Sequence, residues 1–128
     1  MEEPQTGWIK VNIDAVSNNK FNRAGWGIAA RSWQGKVIAI WAYPSKSCSN
    51  ARLEEALALR AAMIRAKQQG WKRVEFESNC KQVVDKVNEK GEDMLTATVL
   101  KDVRMVKYEF DECCASFTRR ETALLVIN

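Results

Sequence analysis

No histidine occurs anywhere in the 128 residues. That absence removes the side chain most often used as a neutral-pH acid or base, and the usual nitrogen ligand of zinc. The four cysteines, Cys48, Cys80, Cys113 and Cys114, form no C-x-x-C pair. Without histidine to complete a ligand set, they read as ordinary thiols in a reducing compartment. Proline is scarce, with 2 residues, and no low-complexity segment is present, which argues against disorder beyond the ends. No apolar run approaches the ~20 residues that span a bilayer, so no membrane role is expected. Met1 leads into two acids and a proline, which does not make a signal peptide. Residues 1–7 are expected to be a loose or artificial start, and 8–128 a single domain. The expected setting is intracellular, nuclear or cytoplasmic.

What is present is a balanced globular composition, 46% hydrophobic and 28% charged, with net charge +4 and a pI near 9.0. The mild positive charge is compatible with a polyanionic partner. "WIKVNID" (8–14) alternates, with Ile9, Val11 and Ile13 on one side and Trp8, Lys10, Asn12 and Asp14 on the other, the period of a strand. Residues 15–22 read as an Asn-rich loop. "RAGWGIAARSW" (23–33) and "KVIAIWAY" (36–43), split by Gln34-Gly35, read as a hairpin, giving three antiparallel strands. Residues 50–69 are strong helix formers closed by Gly70. Leu53, Leu57, Ala61 and Ile64 form one stripe, widened by Ala56, Ala58, Leu59, Ala62 and Met63. A strand over 72–78, helices over 79–89 and 95–107, a strand over 108–117 and a helical or frayed tail complete the order β-β-β-α-β-α-α-β-(α). Right-handed crossovers then set the later strands beside the first, in a mixed sheet with flanking helices.

Ligand sites in such sheets collect where strands end. Asp14 closes the first strand, Asn79 follows the fourth, and Glu55 lies early on the long helix. Carboxylates converging there would need a hard cation, Mg²⁺ or Mn²⁺, bound through oxygen. Each residue also has an ordinary reading. Asp14 suits a turn, Glu55 can pair with Arg52 or Arg31, and Asn79 beside Ser78 is a good helix N-cap.

Together, "WIKVNIDA", "AGWGIAARSWQGKVI", "EEALALRAAM" and "FESNCKQVVDKVN", with a weaker "TRRE", resemble in order and spacing the ribonuclease H-like (reverse-transcriptase-like, RNase H type-1) domains of plants, many of them retroelement remnants. The resemblance runs from about Trp8 to Glu121. It implies a five-stranded mixed sheet flanked by helices, and metal-dependent hydrolysis of RNA in an RNA–DNA hybrid. It also implies that Asp14, Glu55 and position 79 form the catalytic set, with Asp14 and Glu55 as metal ligands. The family carries Asp at position 79, where this chain has Asn79. Phe117 falls where the family has His, Ile127 falls near its last Asp, and the family's final helix continues further.

An amide is a poorer ligand than a carboxylate for a hard cation, and the replacement removes one negative charge. A loss of ~4 kcal/mol in transition-state stabilisation is about a thousandfold in rate. The expectation is a degenerate, inactive or weakly active site on a domain that still binds an RNA–DNA hybrid or double-stranded RNA. The alternatives are an active metal-dependent hybrid endonuclease and a non-catalytic protein-interaction module. Ser49 and Asn50 at the helix start, with Arg119 and Arg120, are the expected nucleic-acid contacts, supplemented by Arg31, Lys72, Arg73 and Lys81. Trp8, Trp26, Trp33 and Trp41 are either stacking surfaces or core. A monomer is expected.

Overall fold

The computed structural model describes residues 6–18, 23–46, 51–78 and 97–117. Strands β1 (Ile9–Asn18), β2 (Arg23–Arg31) and β3 (Val37–Lys46) precede helix α1 (Ala51–Gln68), strand β4 (Arg73–Ser78), helix α2 (Ala97–Lys107) and strand β5 (Glu112–Phe117). The sheet order is β3-β2-β1-β4-β5. β1–β2 and β2–β3 pair antiparallel, whereas β1–β4 and β4–β5 pair parallel. The mixed sheet read from the sequence is therefore the sheet observed.

Alternation fixes which side chains go where. Val11 and Ile13 on β1, Ile28 on β2, and Val74 and Phe76 on β4 are buried in one core with Leu59 and Met63 of α1 and with Val99, Leu100 and Val103 of α2. Phe76 meets Phe110 edge-on at a 6.0 Å ring separation, sealing the turn after α2 to the sheet. A one-residue slip of β1 would carry Val11 and Ile13 to the opposite face, so the core specifies the register.

Two turns were legible from their glycines. After α1, Gly70 (φ 78°) donates to the Lys67 carbonyl and Trp71 to the Ala66 carbonyl. This is the paired bonding of a Schellman end, with glycine in the left-handed position it requires. Between β2 and β3, Gly35 (φ 82°) donates to Ser32, and Ser32 donates to the Lys36 carbonyl, closing a tight loop over Trp33, Gln34 and Gly35.

Three expectations are corrected. The loop placed over 15–22 is shorter, because β1 runs on to Asn18 through Ser17↔Ala24 and Asn18↔Arg23 pairing. β3 passes through Pro44, which an edge strand tolerates because one of its sides needs no ladder donor. On α1 the buried stripe is Ala56, Ala58, Leu59, Ala62, Met63 and Ala66, while Leu53, Leu57 and Ala61 are only partly covered and Ile64 is exposed. The helix over 79–89 and the tail lie outside the described residues.

Candidate functional site

The site expected at the strand ends begins with α1, which packs across β1. Its two adjacent acids part company. Glu54 accepts the indole N–H of Trp26 at 2.5 Å, tying α1 to β2. Glu55, one residue on and 5% exposed, accepts the Ser78 hydroxyl at 3.2 Å, tying α1 to the last residue of β4. Ser78 is the parallel partner of Ile13, and Asp14, 1% exposed, stands one residue beyond that pair and opposite Gly27 of β2. Asp14 does not close β1, which runs on to Asn18; it stands just beyond the point where β1 stops pairing with β4, and Glu55 on α1 is bonded to the last residue of β4. Carboxylates are rarely this buried without a partner or a cation.

Of the remaining residues expected at the site, Asn79, Ser49, Asn50, Arg119 and Arg120 lie outside the described residues, as does Lys81. Among the described residues no group of three or more His, Cys, Asp or Glu side chains is gathered as a metal site.

Sequence reading missed a second polar group at the same two strands. Glu77 places Oε1 2.7 Å from Lys10 Nζ and accepts Asn12 Nδ2 on Oε2 at 2.8 Å. Lys10 and Asn12 are 5% and 0% exposed. Both oxygens of Glu77 are committed to β1, so this acid acts as a clamp between β1 and β4, on the face opposite Val11 and Ile13. Buried ion pairs contribute less to net stability than to specifying one arrangement, and here the arrangement is the β1–β4 register that brings Asp14 beside the end of β4. The signal was available as alternating Lys10 and Asn12 against Glu75 and Glu77. It acquires meaning only once the parallel register is known.

The tryptophans divide as well. Trp26 packs on Tyr43 (5.9 Å) and Trp41 on Trp71 (6.1 Å), all four partly buried against the core. Arg65 lies over the Tyr43 ring and donates to its hydroxyl. These are packing roles. Trp33, at 40% exposure, and Trp8 line clefts, and Trp71 also lines the cleft of Trp33.

On β5, Cys113 is half-buried and Cys114 exposed, on opposite sides of the strand, and both are free thiols. Burial pushes the Cys113 thiol up to about 12, with Lys107 opposing and Cys114 adding to the rise. Burial also raises Cys114, reinforced by Glu75. Neither is a ready nucleophile.

A five-stranded mixed sheet with this order and these flanking helices is the ribonuclease H-like fold, and solved structures bear this out. The chain is similar to RNase H1 of Halobacterium salinarum (TM-score 0.81, 19% identity, covering 91% of this chain and 89% of that one). It is similar to LC11-RNase H1, solved with an RNA/DNA hybrid (TM-score 0.79, 17% identity, 92% and 90%). It is also similar to the foamy viral protease-reverse transcriptase solved with an RNA/DNA hybrid (TM-score 0.71, 18% identity), covering 93% of this chain and 18% of that one. No curated protein matches the sequence. The reverse transcriptase-like family matches residues 12–126, and the chain belongs to that family.

Proposed function

We propose that this ribonuclease H-like domain binds nucleic acid, an RNA–DNA hybrid or double-stranded RNA, with hydrolytic chemistry impaired by Asn79. The observation that carries the reading is the pair of buried carboxylates, Asp14 where β1 stops pairing with β4 and Glu55 on α1 bonded to the last residue of β4, after which the next residue in sequence is an amide. Support for the ligand class comes from two similar structures that were solved with RNA/DNA hybrids.

Ribonucleases H generally use divalent metal ions. The donors here are carboxylate oxygens, the right chemistry for Mg²⁺ or Mn²⁺, and Asp14 and Glu55 would hold such an ion. When bound, it supplies Lewis-acid activation of water and neutralises charge at the scissile phosphate. Two acids fit a single ion that keeps most of its waters better than a closely held pair. Ser78 fixes the Glu55 carboxylate, and the Glu77 clamp fixes the strand that carries Asp14.

Hybrid binding and cleavage, measured on this chain and on Asn79→Asp with Mg²⁺ or Mn²⁺, test the proposal. Hybrid binding by both, with cleavage raised by the substitution, is the expected result. Absence of hybrid binding at low salt overturns it, as does brisk cleavage by the chain with Asn79 in place.

A second reading, a protein-interaction module, is favoured by β3. Val37, Ile38 and Ile40 are 47%, 44% and 61% exposed on an edge strand, which offers both apolar surface and unpaired backbone groups. Sedimentation of the isolated chain as a monomer at high concentration would show that this edge does not self-associate.

A further inference from the structure

At the opposite end of the same strands lies a cleft of about 430 Å³ lined by Ile9, Trp33, Trp71, Lys72, Arg73 and Asp111. Asp14 is five steps along β1 from Ile9, roughly 16 Å at about 3.3 Å per residue. The cleft is therefore distinct from the carboxylate end. We propose that it binds single-stranded nucleic acid, with bases against the two indoles and phosphates toward Lys72 and Arg73.

The indoles are held by different devices. Trp33 stands in the tight loop closed by Ser32, whose hydroxyl accepts the amides of Gln34 and Lys36. Trp71 follows the Schellman end of α1 and is braced from beneath by Trp41. The loop backbone that carries Trp33 and the ring of Trp71 are ordered before binding, which lowers the entropic cost of stacking. Aromatic faces beside cations form the recurring arrangement for unpaired strands, because a base paired within a duplex cannot reach a ring face.

Lys72 and Arg73 are exposed neighbours on the entry to β4. Arg73 also faces Glu112 at 3.7 Å, a surface pair that a phosphate can displace at small cost. Asp111 is the acidic wall. It repels phosphate and accepts amino groups such as cytosine N4, so the backbone is directed to the Lys72–Arg73 side and a cytosine-bearing strand is favoured over a thymine one. Asp111 also borders a second cleft of about 380 Å³ that contains Trp8 and Tyr108. Two aromatic clefts sharing one wall suit a linear polymer more than a single small molecule.

The test is fluorescence anisotropy of a short labelled oligo-dC, alongside a hybrid duplex and a proline-rich peptide, on the folded chain. Trp33→Ala, at an exposed ring, is expected to weaken oligo-dC binding about tenfold. Lys72→Glu with Arg73→Glu is expected to abolish it, with unchanged circular dichroism for both variants. Oligo-dC binding that survives both variants overturns the proposal, as does a cleft that takes the proline-rich peptide and ignores the oligonucleotide. Loss of oligo-dC with hybrid affinity intact supports it. Failure of hybrid binding alone would sink the proposed function and leave the cleft standing.

Discussion

The two ends of β1 and β4 are built from opposite materials. At the carboxyl ends, Asp14, Glu55 and Ser78 are almost wholly buried, and their charge is negative. At the amino ends, Trp33, Lys72 and Arg73 are exposed, with Asp111 and Glu112 beside the two cations. A polyanion approaching the first end meets carboxylates and needs a cation between; at the second the side chains of Lys72 and Arg73 are themselves cations, set against Asp111 and Glu112. The difference teaches that binding and chemistry need not depend on the same charges in this fold. If the carboxylate end has lost a ligand through Asn79, the molecule can lose turnover without losing its affinity for nucleic acid.

The largest effect expected from breaking that contrast is in Asn79→Asp. A carboxylate at position 79, where the family resemblance implies a metal ligand, is expected to raise metal-dependent hybrid cleavage by about a hundredfold or more, on the scale of one lost ligand. It should leave hybrid affinity at saturating metal within a few-fold. Single-turnover cleavage and anisotropy on the same samples separate the two quantities. A rise in affinity without any cleavage would show that the change acts on binding alone.

Next comes the Glu77 clamp, which the comparison assigns to register. Glu77→Ala removes the carboxylate that both the buried Lys10 ammonium and the Asn12 amide contact, a loss of about 3–5 kcal/mol for a broken buried pair. Urea unfolding is expected to show a sharply lowered midpoint. Glu77→Gln, which keeps an acceptor for Asn12, should recover part of it. Equal loss in both variants would place the whole effect in the charge pair.

How much of this could be read in advance follows from where the information sits. The face assignments of β1 came from simple alternation of Ile9, Val11 and Ile13, and the ends of α1 from Gly70. The extension of β1 to Asn18 was missed because Ser17 and Asn18 have weak strand preference, which pairing with Ala24 and Arg23 overrides. The choice of Glu55 over Glu54 came from resemblance. In physical terms the two adjacent acids are alike until Trp26 and Ser78 are in place to bond them separately. The clamp and the Trp33–Trp71 cleft were illegible for one shared reason. Each joins segments far apart in sequence, so each depends on the parallel β1–β4 register, which no local pattern encodes.

A smaller effect tests whether α1 is pinned at both acids. Trp26→Phe removes the indole donor and leaves the buried Glu54 carboxylate short of one hydrogen bond, for about 1–3 kcal/mol. Ser78→Ala removes a hydroxyl donor from Glu55 and is expected to reduce stability by about 1 kcal/mol. It should weaken apparent metal affinity as well, because Glu55 would lose one of the groups that orient it. Calorimetric metal titration of Ser78→Ala against Trp26→Phe is decisive here. Equal metal affinity in the two variants would mean that α1 acts on the carboxylate end as a rigid body, with no separate role for Ser78.

The smallest expected effect lies away from both ends, on β5. Burial holds the Cys113 thiol up at about 12 against a usual 9.0. The folded state therefore keeps a proton that the unfolded chain releases. Between those two values the folded state binds more protons than the unfolded one, so stability should fall as pH rises from about 9 toward 12, and be fully present below 9. Cys113→Ser removes the titrating group and should flatten that part of the profile, with Cys114, raised in the same direction, accounting for a residual slope. Thermal midpoints across this range, measured under reducing conditions, decide the matter. A slope unchanged in Cys113→Ser would show that Cys113 does not carry the alkaline sensitivity.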